Sequence, residues 1–532
     1  MPEAKSANLC WGQHHHLLRY LRVPAPSRHE AHIGTSYPLP AGCTVAAVRA
    51  ALTHLVRRHE VLRTVYDLTG TAADGRAWPR QVVQPPAPQP VTEATTEDAV
   101  DVIARLTRTP FDLAREWPLR ACVVTTGGRL VRLHLVFNHL AFDDVALDRL
   151  AAELDELLAA RTEGRPAVLD PVEHQPVDLA RFEESRTEAD LEPALGHWRD
   201  IVEKLPADVF SKRRRASEAA HSASFTVPSL LPAARAIAAR EHVWPSAVHL
   251  AAYAVTLAAY TGETVVAHRM YTSQRDASGF GGAVTCLSYP TPVLADLGGD
   301  PRFSAVVKAS ATRVSQAMTH AHVPYDRVYE LIAEEGARRG TPVRVVAELN
   351  FLDNAPRSCR AKRDRYAVNA APADWALAGS DSYLRIYEWA DGITLALQAL
   401  DAVMDADAVE QFLRGYARLV EAHRDPGTDL RVSEAAALIG FTPPAAPRTG
   451  PTRPEPTGSA PAERVLVDVV AEVNGLDGVD PARSYTGAGG RVLRLPRVVE
   501  ALHERGWSAG LVPFTTTRPL SALAHELVPA RG

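Results

Sequence analysis

Residues 129–161, RLVRLHLVFNHLAFDDVALDRLAAELDELLAAR, constrain the fold of this chain more than any other stretch. Val131, Leu133, Leu135 and Phe137 recur at every second position, the period of a mostly buried strand. Val145, Leu147, Leu150, Leu154, Leu157 and Leu158 then recur at helical spacing. Little more than Asn138-His139-Leu140-Ala141-Phe142-Asp143-Asp144 lies between, so the strand must pass into the helix through a tight turn. An imidazole stands just past the strand end and an acidic pair just before the helix. A turn held between two packed elements keeps its side chains in place, which suits a preorganised catalytic group.

A chain of 532 residues predicts more than one domain and an ample core. Its net charge of -5 gives no reason to invoke nucleic acid or an anionic membrane as partner. No apolar run is long enough to span a bilayer, and MPEAKSANLCWGQHHH lacks the apolar centre of a signal peptide. Cys10, Cys43, Cys122, Cys286 and Cys359 are odd in number, widely spread and without metal-site spacing. They read as reduced thiols of a cytoplasmic protein.

Cys10-Trp11-Gly12-Gln13 opens a helix through Leu17, Leu18 and Leu21. Its His14, His15 and His16 point in different directions and cannot all hold one ion, so they read as surface and interface histidines and no metal site is expected. Thr44 caps a helix that ends in Arg57-Arg58-His59-Glu60-Val61-Leu62-Arg63-Thr64. Pro110-Phe111-Asp112-Leu113 and Trp117-Pro118-Leu119-Arg120 precede the central strand. Beyond it come Gly281-Gly282-Ala283-Val284-Thr285-Cys286-Leu287, Asp300-Pro301-Arg302-Phe303, His320-Ala321-His322-Val323-Pro324-Tyr325-Asp326, and Asn350 to Asn354.

In this order these segments resemble the motifs of nonribosomal peptide synthetase condensation domains. His139 matches the second His of the family pattern His-His-x-x-x-Asp-Gly and Asp143 its Asp, while Asn138 replaces the first His and Asp144 the Gly. The resemblance implies a mixed α/β (α+β) fold of two chloramphenicol-acetyltransferase-like lobes set in a V. The expected division is an N-terminal lobe at 1–175 and a C-terminal lobe at 176–441, with His139 in a tunnel between them. It implies His139 as the catalytic residue, with Asn138, Asp143, Asp144 and Arg275 in support. Asp143 would brace the turn through an arginine, with Arg275 preferred over Arg269. An N-cap role for Asp143 or Asp144 is the simpler alternative, and both roles can hold together.

Residues 442–461 carry seven prolines and form an extended, semi-rigid linker. Residues 462–532 resemble a peptidyl carrier domain, a small helical bundle. The family pattern Gly-Gly-x-Ser-Leu reads Gly489-Gly490-Arg491-Val492-Leu493 here, so Val492 replaces the serine that would carry phosphopantetheine. No covalently bound cofactor is expected. The arm would be presented by partner acyl- or peptidyl-carrier proteins of an assembly line. A helix begun at Val492 would place Pro496, which has no amide hydrogen, in its second turn.

The reaction the family performs is aminolysis of a thioester, and less often formation of an ester. A neutral imidazole suits it, because an ordinary histidine titrates near about 6.5. Two alternatives stay open. Asp143-Asp144 resembles the ending found in the recruitment domains of glycopeptide synthetases, which dock oxygenases without condensing; those domains lose the second His that this chain keeps. A coenzyme A-dependent acyltransferase of the same superfamily is the other. Asn138 and Asp143 have the spacing of the cyclisation motif Asp-x-x-x-x-Asp but not its first residue, and no Glu-Gly-His-Gly of the epimerising type is present.

Overall fold

The computed structural model describes residues 5–23, 25–68, 79–217, 219–275, 279–354, 363–370, 380–444, 460–514 and 518–530. Most of the linker and Cys359 lie outside them. No helix among these residues is long and apolar enough to cross a membrane.

The chain packs into two compact units, one of Met1–Leu191 with Ser273–Tyr289, the other of Glu192–Thr272 with Pro290–Gly532. The first unit thus extends beyond residue 175 and takes a segment from the middle of the chain. The helix Pro176–Glu184 explains the extension: Val177, Leu179 and Ala180 are buried with Ala7, Cys10 and Leu287. The small C-terminal unit is not a separate body in this division but part of the second.

In the first unit, a four-stranded sheet runs in the order His32–Pro38, Arg129–Asn138, Leu119–Thr126, Val91–Thr95. The central strand is antiparallel to both neighbours. Its Leu133, Leu135 and Phe137 face a core completed by the helices Val45–Arg58 and Asp144–Glu163. The sequence period therefore reports the core face, and Val136, fully buried on the other face, packs in a second cluster with Leu17, Tyr20 and Leu140.

The segment 58–64 joins these elements electrostatically. Arg58 donates to Glu153 at 2.9 Å and His59 Nε2 bonds the same carboxylate at 2.6 Å. Burial works against charge on Glu153, but the His59 and Arg58 hydrogen bonds override it and hold the carboxyl near about 2. Burial lowers His59 despite that carboxylate, so we assign Arg58 as the charged partner and His59 as a neutral donor. The motif ties one helix to the helix that carries the acidic pair.

The second unit is built on a seven-stranded mixed sheet, in the order Tyr289–Asp296, Val265–Thr272, Ala347–Asn354, Ser382–Trp389, Gly392–Leu400, Ala220–Val227, Arg365–Val368. The helix Pro245–Thr261 is apolar on nearly every side and buried throughout its length, as its Ala-rich sequence requires. Helix Ala406–Ala422 buries Val409, Phe412, Leu413, Tyr416, Leu419 and Val420, which recur at helical spacing along one face.

Residues 460–530 fold around Leu466, Val469, Val470, Tyr485, Val498, Leu502, Phe514, Leu520 and Leu523, all buried. Helix Ala460–Asn474 supplies the first three. Val492 opens a short 3-10 turn, Val492–Arg494, and the α-helix starts afterwards, at Leu495–Glu504. Pro496 therefore falls in the first turn, where a missing amide leaves no hydrogen bond unmade, and the distortion expected for a helix begun at Val492 does not arise.

Candidate active site

The turn at 138–144 is fixed by its backbone before any side chain acts. Asn138 N donates to the Pro118 carbonyl at 3.1 Å, His139 N to Ala31 at 3.0 Å, and Ala141 N to Asn138 at 3.0 Å. Leu140, Ala141 and Phe142 are buried, and Phe142 meets Phe137 edge to face at 4.9 Å. Asn138 is fully buried, and its Oδ1 accepts the Leu140 amide at 2.9 Å. A buried amide thus stands at the position of the family's first His and holds the turn.

His139 is only partly buried. Its ring stacks on His16 with centroids 4.2 Å apart and planes 19° apart. Its Nδ1 is buried without a hydrogen-bond partner among the described residues. His16 is itself buried. Burial first, then His139 and Arg19, hold its imidazole well below the ordinary histidine value. Its Nε2 lies 3.0 Å from the Ser288 carbonyl, which can only accept, so the proton of neutral His16 sits on Nε2.

Asp143 fills both roles expected for it. It is the N-cap of helix Asp144–Glu163, with Oδ1 accepting the Ala146 amide at 2.9 Å. The same oxygen meets Arg275 Nη2 at 2.5 Å, both side chains buried, and Oδ2 accepts the Leu287 amide at 2.9 Å. Arg275 also donates to the carbonyls of Gly281, Ala283 and Thr285 at 2.8, 3.0 and 3.1 Å. One guanidinium therefore gathers the returning segment around one carboxylate. Arg269 pairs instead with Glu348, at 2.9 Å.

Asp144 is exposed and begins the helix, where an anion is favoured by the helix dipole. It is absent from the described residues with positive φ, so the backbone does not demand glycine there.

The histidines at 14–16 require a correction. His15 and His16 are buried, not surface residues. The helix Trp11–Arg22 lies against the returning segment, and an added Cβ on Gly12 would overlap the Cys286 carbonyl. Gln13 closes the helix start by accepting the Cys10 amide at 2.9 Å, and donates to Thr285 Oγ1 at 3.3 Å. Sequence reasoning missed His16 and Cys286 as neighbours of His139. One signal was present: His16 lies three residues after Gln13, on the same face of the helix. Nothing in the local sequence marked Cys286. The argument that three consecutive histidines cannot share an ion stands, but His16, His139 and Cys286 come together from three separate segments, with one potential ligand atom from each within 4.8 Å of the others.

Comparison with known proteins agrees with this geometry. The family description "Condensation domain" matches residues 32–422. Chondramide synthase cmdD of Chondromyces crocatus is 27% identical over 319 residues, which cover 57% of this chain and 8% of the synthase. The chain thus spans a small part of that relative's length. The condensation domain of the Monacolin K polyketide synthase MokA superposes with a TM-score of 0.65 at 18% identity, covering 80% of this chain and 99% of that one. The X-domain from teicoplanin biosynthesis, also solved in complex with OxyB, gives 0.61 at 22%, covering 81% and 98%. These likenesses establish the mixed α/β, chloramphenicol-acetyltransferase-like fold. With a family match that runs from the first strand of the His139 sheet to the end of helix Ala406–Ala422, this chain belongs to the condensation-domain family, the acyltransferases that form amide bonds in nonribosomal peptide synthesis.

Proposed function

We propose that this chain condenses a carrier-bound acyl or aminoacyl thioester with an amine, with His139 as the catalytic residue. The observation that supports this most is the retention of His139 on a turn fixed by backbone hydrogen bonds and by the buried Asp143–Arg275 pair. In aminolysis the amine nitrogen bonds to the thioester carbonyl carbon and the carbon–sulfur bond breaks. The nitrogen loses a proton and the departing thiolate gains one. A neutral imidazole beside the amine accepts its hydrogen bond, orients its lone pair and can carry that proton. Such general-base help is worth roughly 100-fold to 10,000-fold, and positioning can be worth more. Asn138, Asp143 and Arg275 act through the turn and are positioning residues. Phosphopantetheine would arrive on partner acyl- or peptidyl-carrier proteins, since Val492 has no nucleophilic oxygen. We assign residues 462–532 as a carrier-like unit that is never loaded and serves docking or spacing, in a protein that works in the cytoplasm.

A second reading, a non-catalytic docking protein, is favoured by Asn138, Asp144, Val492 and the likeness to the teicoplanin X-domain. Product formation with candidate acyl carriers separates the two. Wild type should form product and His139→Ala should lose at least about 100-fold; equal turnover in both would remove His139 from the mechanism. No product with any carrier pair would favour docking.

A further inference from the structure

We propose that His16, His139 and Cys286 form a binding site for a soft divalent cation of the zinc class, and that its occupancy silences the His139 imidazole. The silencing rests on the condensation reading above; the binding does not.

The donor set is two imidazoles and one thiol, from the helix Trp11–Arg22, the turn after strand Arg129–Asn138, and the segment Ser273–Tyr289. This combination suits zinc and its neighbours and not magnesium or calcium, which take oxygen ligands. The nearest ligand atoms are already within 4.8 Å of one another. Zinc–nitrogen and zinc–sulfur bonds of about 2.0–2.3 Å in a tetrahedron separate ligands by roughly 3.3–3.8 Å, so the cluster must close by about one ångström. The His139 ring, the least buried of the three, must also turn out of its stack on His16 so that both in-plane lone pairs meet one ion.

The surroundings have the character of a ligand shell. Metal-bound histidines commonly donate their second ring nitrogen to a carbonyl, which fixes the ring and the tautomer. His16 already does so to Ser288 at 3.0 Å, and is left with Nδ1 as its lone-pair nitrogen. His139 Nδ1 is buried and has no hydrogen-bond partner among the described residues. The Cys286 sulfur is buried, and its contacts are to Ser288, with the carbonyl oxygen 3.9 Å away. On binding, the thiol proton leaves to solvent, a metal–sulfur bond forms and coordinated water is released. Three protein ligands leave a fourth position open. A lone pair committed to the cation cannot accept a hydrogen bond from an amine.

The test uses the tag-free full chain, stripped with a chelator and titrated with cobalt(II) and then zinc(II). One cobalt per chain should bind with a cobalt–thiolate absorption band, displaced by zinc, and magnesium or calcium should leave the band unchanged. Cys286→Ser and, separately, His16→Gln should abolish the band while far-ultraviolet circular dichroism stays that of wild type. Two variants guard against one misfolding. In condensation assays, with each protein compared to its own metal-free turnover, zinc should inhibit wild type and should not inhibit Cys286→Ser. Absence of the band in wild type, or its persistence in Cys286→Ser, overturns the site. Binding without inhibition of an active enzyme overturns the silencing. Binding by a protein that condenses nothing supports the site and sinks the condensation reading instead.

Discussion

At residues 138–144 the departures from the condensation pattern surround the residue proposed to be reactive; at residues 489–493, read as a carrier motif, the departure falls on the proposed attachment position itself. Asn138 and Asp144 replace a histidine and a glycine, yet His139 remains, and each replacement has a structural job: Asn138 caps the turn's backbone and Asp144 opens a helix. Val492 stands where a carrier motif would have its serine, and it is buried. Its neighbour Arg491 reaches Asp326 and Glu330, each at 3.0 Å, on the helix Tyr325–Arg339, which lies with it in the second compact unit. A motif can drift around a functional group while the fold still presents it. Once the group itself goes, its neighbours are free to become packing and ion-pair residues.

The largest effect expected from this contrast is on stability at the first site. Asp143→Ala removes an N-cap and strands the buried Arg275, and should cost about 3–5 kcal/mol in urea unfolding. Asp143→Asn keeps a capping oxygen and should recover only the smaller share, about 1 kcal/mol. An alanine variant as stable as wild type would show that the pair does not brace the turn.

The pH responses of the two regions should have opposite signs. Glu153, held near about 2 by His59 and Arg58, contributes stability that is present above the ordinary carboxyl range and lost as pH falls toward about 2. Glu330 is the reverse: burial, then Asp326, push it up to about 7. Its contribution is present below the ordinary carboxyl range and lost as pH rises through about 7. Thermal unfolding between pH 3 and 9 should show Glu153→Gln flattening the acid limb and Glu330→Gln the limb approaching pH 7. Arg491→Ala takes a cation from Glu330 and should carry that upper limb to higher pH. An acid limb insensitive to Glu153→Gln would mean that the 58–64 motif does not tie the site helix electrostatically.

The smallest expected effect is none. Incubation with coenzyme A and a promiscuous phosphopantetheinyl transferase should leave the intact mass of this chain unchanged. A gain of one phosphopantetheine, on whichever serine, would overturn the unloaded-carrier assignment and erase the contrast between the two turns.

What the sequence made legible follows the range of the interactions involved. The strand and helix around His139 and the Thr44 cap are set by neighbours a few residues apart, so periodicity and capping residues revealed them. Asp143 as N-cap is equally local. Its pairing with Arg275 was expected only through the family resemblance. The stack of His16 on His139 and the approach of Cys286 depend on a long-range return of the chain, and no local pattern encodes that. His15 and His16 were misplaced on the surface for the same reason: a polar triplet looks exposed until another segment covers it. The start of the helix at Leu495 shows the converse. Pro496 was read as a misfit in a helix begun at Val492, and the family register was the misleading guide: the helix begins at Leu495, with Pro496 in its first turn.

Condensation chemistry is proposed to reside at His139, with the acyl group never held on this chain. A single-turnover assay with a radiolabelled acyl group on an external carrier protein and an amine on a second tests it directly. Wild type should move label from donor to product with none retained on this chain, and His139→Ala should leave the label on the donor. Product formed equally by His139→Ala, or label held covalently by this chain, would contradict the account.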